Sequence, residues 1–258
     1  MFTSADELFL HCRLRGSAGT AIQFVREARR FLLALAELQP ELQRVTVPAG
    51  SRRGTKVVVS PADDTFEKEV LPALYFSKDI YEDLGPKRTI LPHTRSQWGF
   101  FLVAYSGRRT VDAMEVTLSG LASIRATYAD LHIDFRPGGD PATRSPEFME
   151  LVFRRSIEYW HPLGGEATAS RLHGFASAAT YFSVGWLTYL TDPRVPDALP
   201  PGTHYERFVD GVLIRLNGET FLRDKAQVAE AIRIRDALSA AGLLAMPPIP
   251  RPGEAQGE

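Results

Sequence analysis

The sequence predicts an α+β fold, with a mixed, mostly antiparallel sheet and about three main helices packed on it. Several segments alternate apolar and polar residues with the period of a half-buried strand. Short turns containing glycine join some of these segments, as in antiparallel hairpins. Three longer segments repeat apolar residues at helical spacing and begin or end at residues that favour helix ends.

The first half of the chain is predicted to begin with a strand and a helix. The strand covers 7–14, and alternation puts four side chains on one face: Leu8, Leu10, Cys12 and Leu14. The helix begins near Thr20, whose hydroxyl can accept a bond from an amide of the first turn, and stops at Pro40. The further elements are a hairpin over 44–60, a helical connection over 63–85, and strands over 98–105, 111–118 and 128–135.

The second half contains the helix with the clearest signals. Ser145 stands at its N-cap position, Pro146 at its first helical position and Pro162 beyond its end. A last helix begins at Asp224 and ends at Gly242. Its buried stripe is expected to contain Val228, Ala231, Ile232, Arg235 and Leu238. Between the two helices, strand-like segments cover 167–173, 178–190 and 205–216.

The order of strand, helix and several strands occurs once in each half of the chain, without a repeat at the level of residues. A duplicated α+β unit and one continuous sheet with helices on one face both explain this order. Because the composition does not change near residue 120, we expect a single α+β domain over 1–245. The segment 246–258 is rich in proline and poor in apolar residues, which predicts a disordered tail.

Composition and charge disfavour several classes of protein. The chain has 258 residues, of which 44% are hydrophobic, and a formal net charge of −1. A chain of this length can bury a core without disulfides or metals. Its near-neutral charge provides no field that would steer nucleic acid or an anionic membrane toward it. Its single cysteine, and the lack of a visible secretory signal or membrane span, predict a cytoplasmic protein.

Motifs for catalysis are scarce. The sequence contains no phosphate-binding loop, dinucleotide-binding turn, nucleophile elbow or zinc-protease helix. His132 and Asp134 lie two residues apart on a predicted strand, so both face one side and can orient each other. The alternative is a hydrogen-bonded histidine on a strand surface. Cys12 alternates with leucines and is expected to be a buried thiol, and we expect no cofactor and no metal site.

An acidic segment from 63 to 83 is the candidate binding surface. Its seven acidic and two basic residues give a local charge of −5 in a nearly neutral chain. Aromatic residues interleave with the acids, which favours a protein interface, whereas a charged run alone indicates a solvated face. The candidate residues are Asp63, Asp64, Glu67, Glu69, Tyr75, Asp79, Tyr81, Glu82 and Asp83.

The run 182–193 is an apolar, aromatic-rich strand pattern that ends in a turn. Its part 184–190, with Gly185, Trp186 and Tyr189, resembles a motif of the immunity protein 52 family of bacterial polymorphic-toxin systems. The runs 211–216 and 157–162, the latter with Trp160, are similar to further elements of that family. These residues are expected to serve the core, because glycine permits close packing and large rings fill space.

The resemblance implies a non-enzymatic inhibitor. Members of the family bind and neutralise restriction-endonuclease-like toxins, including toxins exported by type VI secretion. We therefore expect a cytoplasmic immunity protein whose partner is a cognate nuclease toxin, without direct contact to nucleic acid or membrane. The acidic segment would occlude the toxin's active site, or the protein would bind elsewhere on the toxin and block closure or assembly. Two alternatives stay open: an adaptor or structural protein of a secretion system, and a divergent hydrolytic enzyme centred on His132 and Asp134.

Overall fold

The structure is a computed structural model that describes residues 7–48, 56–74, 81–85, 89–106, 114–123, 128–136, 141–176, 181–218 and 225–245. These ranges contain twelve strands and six α-helices. The strands are β1 (Leu8–Arg15), β2 (Val45–Pro48), β3 (Lys56–Val59), β4 (Tyr81–Glu82), β5 (Arg95–Ser96), β6 (Phe100–Ser106), β7 (Met114–Leu121), β8 (Tyr128–Phe135), β9 (Gly164–Ala169), β10 (Leu187–Leu190), β11 (His204–Phe208) and β12 (Gly211–Arg215). The helices are α1 (Ala21–Ala36), α2 (Phe66–Val70), α3 (Pro146–Trp160), α4 (Ser170–Ala176), α5 (Val195–Ala198) and α6 (Lys225–Ala240). Within these ranges no helix combines the length and the apolar character needed to cross a bilayer.

Ten of the strands form one sheet, in the order β11-β12-β10-β9-β1-β8-β7-β6-β2-β3, and β4 pairs separately with β5. Each pairing between these strands is antiparallel. An isolated parallel bridge joins Ser96 to Ser123. The predicted α+β class with a large antiparallel sheet is therefore confirmed, and α1, α3 and α6, of 15 or 16 residues each, are its three long helices.

The sheet is continuous, and the two halves of the chain fill it in opposite directions. After β1 and α1, the chain crosses to the β2–β3 edge and returns inward through β6 and β7 to β8, beside β1. After α3, it moves outward from β9, on the other side of β1, to the β11–β12 edge. Both halves begin with a central strand and a helix, but their connectivities differ. Of the two predicted alternatives, one continuous sheet describes the structure.

One face of the sheet is buried under α1 and α3. The alternating side chains predicted for β1 lie on this face, each at most 1% exposed: Leu8, Leu10, Cys12 and Leu14. The ring of Phe24 in α1 lies 5.8 Å from that of Phe100 in β6. The ring of Phe148 in α3 lies 6.3 Å from that of Phe135 in β8. Alternation along the strands thus separates this core face from the opposite, more polar face.

The opposite face of the sheet carries α4 near the centre. His173 of α4 contacts two side chains that point away from α1 and α3. It lies 5.5 Å from Phe9 of β1 between ring centroids, and 3.1 Å from Glu166 of β9 between Nδ1 and Oε1. Helix α6 packs against α4. Toward β8, this face carries polar side chains that are partly accessible to solvent.

Two helix ends have the predicted chemistry. The hydroxyl oxygen of Ser145 accepts a hydrogen bond from the amide of Phe148 at 3.1 Å, which caps α3. After α6, Gly242 has a φ of +72°, a left-handed conformation that glycine adopts at low cost. The predicted first residue of that helix, Asp224, and the predicted tail 246–258 lie outside the described residues.

Three strand predictions in the second half are corrected. The segment 167–173 is the end of β9 followed by the helix α4. Within the described part of 178–190, which begins at residue 181, the strand is Leu187–Leu190. Residues 181–186 are irregular, and the amide of Gly185 donates to Oγ1 of Thr188 at 3.0 Å. The segment 205–216 is the β11–β12 hairpin, which turns at Val209 with a φ of +52°. Apolar content predicted burial here, but burial does not require a strand.

Candidate functional site

His132 and Asp134 form the pair that the sequence predicts. Nε2 of His132 lies 3.0 Å from Oδ1 of Asp134, on the face of β8 turned away from α1 and α3. The ring of Phe9 stacks on the His132 ring at 5.3 Å between centroids. The two polar side chains are 37% and 31% exposed. The pair therefore lies on a partly solvated sheet surface.

Two further histidines on this face are held by carboxylates. Nε2 of His11 lies 2.9 Å from Oδ1 of Asp130, which also binds the guanidinium of Arg13 at 3.1 Å. His173 lies against Glu166, and this contact raises the pKa of His173 although burial opposes the shift. Glu166 itself is almost fully buried. Each imidazole thus has a ring nitrogen within 3.1 Å of a carboxylate oxygen.

The thiol of Cys12 is separated from these histidines by the sheet. Cys12 is fully buried on the α1–α3 face, and this burial raises the pKa of its thiol. It therefore cannot pair with His132 as nucleophile and base, since the two side chains point to opposite faces. In the described ranges, no group of three His, Cys, Asp or Glu side chains is placed to hold a metal ion.

The first part of the acidic segment is tied to α1. The carboxylate of Glu67 accepts hydrogen bonds from Arg26 at 3.2 Å and from Arg29 at 3.5 Å. Arg29 also donates to the carbonyl of Pro61 at 2.7 Å, which holds the loop before α2 against α1. These guanidinium groups offset the charge of Glu67. The other predicted acids of this part are exposed or partly exposed: Asp63, Asp64 and Glu69.

The second part of the acidic segment lies on and after β4. Glu82 and Asp83 are exposed. Tyr81 is partly buried, with its ring 6.2 Å from that of Phe100 between centroids. The remaining predicted residues, Tyr75 and Asp79, lie outside the described residues. The described acids are therefore accessible at both ends of the segment, while the ring of Tyr81 packs against the core.

The residues that resemble the immunity-family motif lie in the core or pack against it. Tyr189 is fully buried and Trp186 is 3% exposed, while Trp160 is partly buried and packs against the core. Burial raises the pKa of Tyr189 to about 12. A Cβ atom on Gly185 would lie 2.8 Å from the carbonyl oxygen of Ala167, so no larger residue fits there without a backbone shift. These residues therefore contribute to the packing of the core.

The sequence pattern predicts the wrong environment for Trp98, which is an exposed aromatic residue. The predicted strand over 98–105 would put it on one face with Phe100, which is buried. In the structure, Trp98 is 57% exposed and precedes β6. Gly99, with a φ of +90°, lies between the two residues and breaks the alternation. A glycine inside a strand pattern is the signal that could have revealed this break.

A surface cavity of about 510 Å³ lies beside α6. Three of its polar lining residues bind one another. Glu230 accepts hydrogen bonds from the backbone and side-chain amides of Asn217 at 2.9 and 2.7 Å. Gln227 donates to the carbonyl of Asn217 at 2.7 Å. Because these groups satisfy each other, the arrangement holds the chain after β12 to α6.

Comparisons with known proteins define the fold. The chain matches no family model and no curated protein. Among solved structures, it is similar to the Pseudomonas aeruginosa T6SS protein PA0821, with a TM-score of 0.52 and 15% sequence identity. The match covers 90% of this chain and 75% of that chain. At this identity the likeness shows a shared fold, and membership of the immunity protein 52 family stays a hypothesis.

Proposed function

We propose that this protein is an immunity protein that binds and neutralises a cognate nuclease toxin of a type VI or related secretion system. The observation that carries the proposal is the fold shared, over 90% of the chain, with a protein named for type VI secretion. The motif resemblance at 184–190 and 211–216 points the same way. The proposal places the action of the protein in the cytoplasm, where a nuclease would reach nucleic acid.

A neutral protein can inhibit a nuclease through a local surface. Nuclease clefts are cationic because they bind phosphates, so a small acidic surface suffices to contact them. The exposed acids at 63, 64, 82 and 83 supply such charge without a large net charge on the chain. Binding away from the cleft remains the second mechanism, and the two differ in their response to charge reversal.

Co-expression tests the proposal directly. The toxin to use is the product of the reading frame next to this gene, produced under a repressible promoter. We expect this protein to restore growth and to form a stoichiometric complex that survives size-exclusion chromatography. Continued growth inhibition together with no co-purification would remove the proposed function.

Charge reversal tests the acidic segment. Glu82→Lys with Asp83→Lys should slow association with the toxin, most strongly at low salt, because charge on a rim acts mainly on the association rate. The matched control is Glu41→Lys with Glu158→Lys, which makes the same change of net charge at two other exposed positions. Equal association rates for the two variants at low salt would exclude these acids from the interface.

The identity of the binding partner distinguishes an immunity protein from the alternative, a secretion-system adaptor. The name of the similar structure mentions only the T6SS, so it also fits an adaptor. An adaptor would bind a non-toxic component of the apparatus and would leave toxicity unchanged in the co-expression experiment.

A further inference from the structure

We propose that strand β11 is the contact surface between two copies of this chain, which pair edge to edge and continue the sheet from one copy into the other. β11 is the last strand at one end of the ten-stranded sheet, and among the described strands it pairs with β12 alone. The exposure of the strand, the direction of its backbone groups, the register that these groups allow and the charges on the strand carry the inference. It does not depend on the proposed function.

β11 is open to solvent along most of its length. The first four of its five residues, 204–207, are exposed. Tyr205 is 48% exposed, and Val209, in the turn that follows, is 43% exposed. Two of the seven exposed large hydrophobic residues in the described ranges therefore lie on this hairpin. The edge is accessible to a second strand.

The hydrogen bonds of β12 show which of its residues bond to β11. The amide of Leu216 donates to the carbonyl of Trp186 at 2.9 Å, and this bond continues the ladder between β10 and β12. In an antiparallel sheet, successive residues of an inner strand bond alternately to the neighbour on either side. Residues 212 and 214 therefore bond to β10, and residues 213 and 215 bond to β11.

The register of the hairpin then decides which residues of β11 face outward. The residues opposite 213 and 215 are Glu206 and His204, whose backbone groups therefore point toward β12. By the same alternation, Tyr205 and Arg207 direct their N–H and C=O groups away from the sheet. The outer edge of β11 thus offers two donors and two acceptors, the groups with which another strand pairs.

One register between two copies uses all of these groups. When a two-fold axis passes through Glu206, Tyr205 of each copy lies opposite Arg207 of the second copy. Each of these two pairs exchanges two hydrogen bonds, and the same surface serves both copies, as in an isologous dimer. An axis at Tyr205 or at Arg207 would form only one such pair within β11. The register centred on Glu206 is therefore favoured.

The charges of β11 are complementary in this register, although charged side chains often protect an edge strand from pairing. The guanidinium of Arg207 meets the ring of Tyr205 of the second copy, which is a favourable cross-strand pair. The two Glu206 side chains meet at the axis, but each contacts the guanidinium of Arg154 in its own α3. Arg154 also lies 4.8 Å from the ring of Phe208, so α3 holds the strand in place.

Light scattering of the full chain during size-exclusion chromatography tests the dimer. We expect the mass to rise from 28.6 kDa toward twice that value as the concentration increases. Arg207→Pro removes an outward N–H and leaves the bonds between β11 and β12 intact, as proline does on edge strands. It should raise the dissociation constant at least about tenfold, because one hydrogen bond is lost from each copy. The matched control Arg207→Ala keeps the amide and should weaken the dimer less.

Two exposed tyrosines provide a comparison that leaves the backbone unchanged. Tyr205 is 48% exposed and Tyr181, which lies outside β11, is 54% exposed. Tyr205→Ala removes two cross-strand pairs and should raise the dissociation constant at least about fivefold. Tyr181→Ala should change it less than about twofold.

A disulfide provides a measurement that does not depend on the affinity. Across a non-hydrogen-bonded antiparallel pair the Cα atoms are about 4.5 Å apart, within the range of disulfides, about 4.4–6.8 Å. Glu206→Cys should therefore give a covalent dimer on mild oxidation. Asp210→Cys, also exposed, is the matched control, because four residues from the axis place its two copies on the order of 25 Å apart. The natural Cys12 is buried and does not compete.

Three results would overturn the proposal. The first is a wild-type protein that remains at 28.6 kDa up to its highest soluble concentration. The second is a dimer that Arg207→Pro and Tyr205→Ala leave unchanged, because its contact would then lie elsewhere. The third is cross-linking of Asp210→Cys as readily as of Glu206→Cys. Toxin neutralisation is measured separately, so each of these results leaves the proposed function standing.

Discussion

Gly165→Ala would test whether the centre of the sheet is packed as tightly as the structure shows. Gly165 lies in β9 opposite Cys12 of β1. A Cβ atom there would come within 2.7 Å of the carbonyl oxygen of His11 and 2.9 Å of Sγ of Cys12. The first contact is with backbone, so no change of rotamer relieves it. β9 also pairs with β10 on its other side, so moving it away disturbs a second ladder.

The expected loss follows from two opposing terms. Forcing an extra methyl group into a packed core costs about 1–3 kcal/mol. Replacing glycine by alanine also restricts the unfolded chain, which stabilises the folded state by about 0.4–1 kcal/mol. The difference between the two terms spans about 0–2.6 kcal/mol. Because the clash is with a backbone atom, we expect Gly165→Ala to lower the free energy of unfolding by about 1–2 kcal/mol, which corresponds to a fall in midpoint temperature of about 2–8 °C for a chain of this size.

Gly174→Ala is the matched control, because it makes the same chemical change in open space. Gly174 lies in α4, and a Cβ atom there would meet no described atom within 4 Å. Alanine is favoured over glycine inside a helix by about 0.5–1 kcal/mol. This variant should therefore be slightly more stable than the wild type.

Urea unfolding followed by circular dichroism and by tryptophan fluorescence would measure both variants. Coincident transitions would justify a two-state treatment, and an unchanged slope would assign the shift to stability. A Gly165→Ala protein as stable as the wild type would refute the packing argument. A destabilised Gly174→Ala protein would instead contradict the helical environment of α4.

Three further predictions concern single side chains. Ser145→Ala should lower the free energy of unfolding by about 1 kcal/mol in urea titrations, because α3 loses its cap, whereas Ser145→Asp should retain most of it. The Glu166 contact raises the pKa of His173 above its ordinary 6.5, so this contact stabilises the fold fully below pH 6.5 and is lost as the pH rises through the raised pKa. The urea midpoint of the wild type should therefore fall more than that of His173→Gln between pH 6 and pH 8. An equal fall of the midpoint in both proteins would exclude a stabilising contact between His173 and Glu166. Because burial raises the pKa of the Cys12 thiol, a disulfide reagent at pH 8 should label the protein only in denaturant, and rapid labelling of the native protein would contradict its burial.

Local patterns predicted the elements whose determinants lie in neighbouring residues. β8 has the predicted bounds, Tyr128–Phe135, because strict alternation reports directly on which side chains are buried. Ser145 caps α3 because a cap depends on groups only three residues apart. The contact between His132 and Asp134 was predictable for the same reason, because two residues on one face of a strand need no distant partner to meet.

The buried face of helix α6 could not be predicted fully from the local sequence pattern. The predicted stripe is only partly right: Ala231 and Leu238 are buried, Val228, Ile232 and Arg235 are only partly buried, and the stripe omits the buried residues Gln227, Glu230 and Ile234. The buried polar side chains bind Asn217, which follows β12 and lies 13 residues before Glu230. A buried polar group is stable once its bonds are satisfied, and such a partner is invisible in the periodicity of the helix.

The buried part 184–190 of the run 182–193 belongs to the scaffold of the fold. A Cβ atom on Gly164 would lie 2.6 Å from the ring of Phe182, and one on Gly211 would lie 2.8 Å from the ring of Tyr189. The rings and the glycines therefore depend on each other, and the motif records how β9, β10 and β12 pack. Side chains buried in this way are unavailable to a partner, so the proposed contact with a toxin would use exposed residues elsewhere on the protein. Two proteins that share this core and differ in their exposed residues should accordingly fold alike and bind different partners.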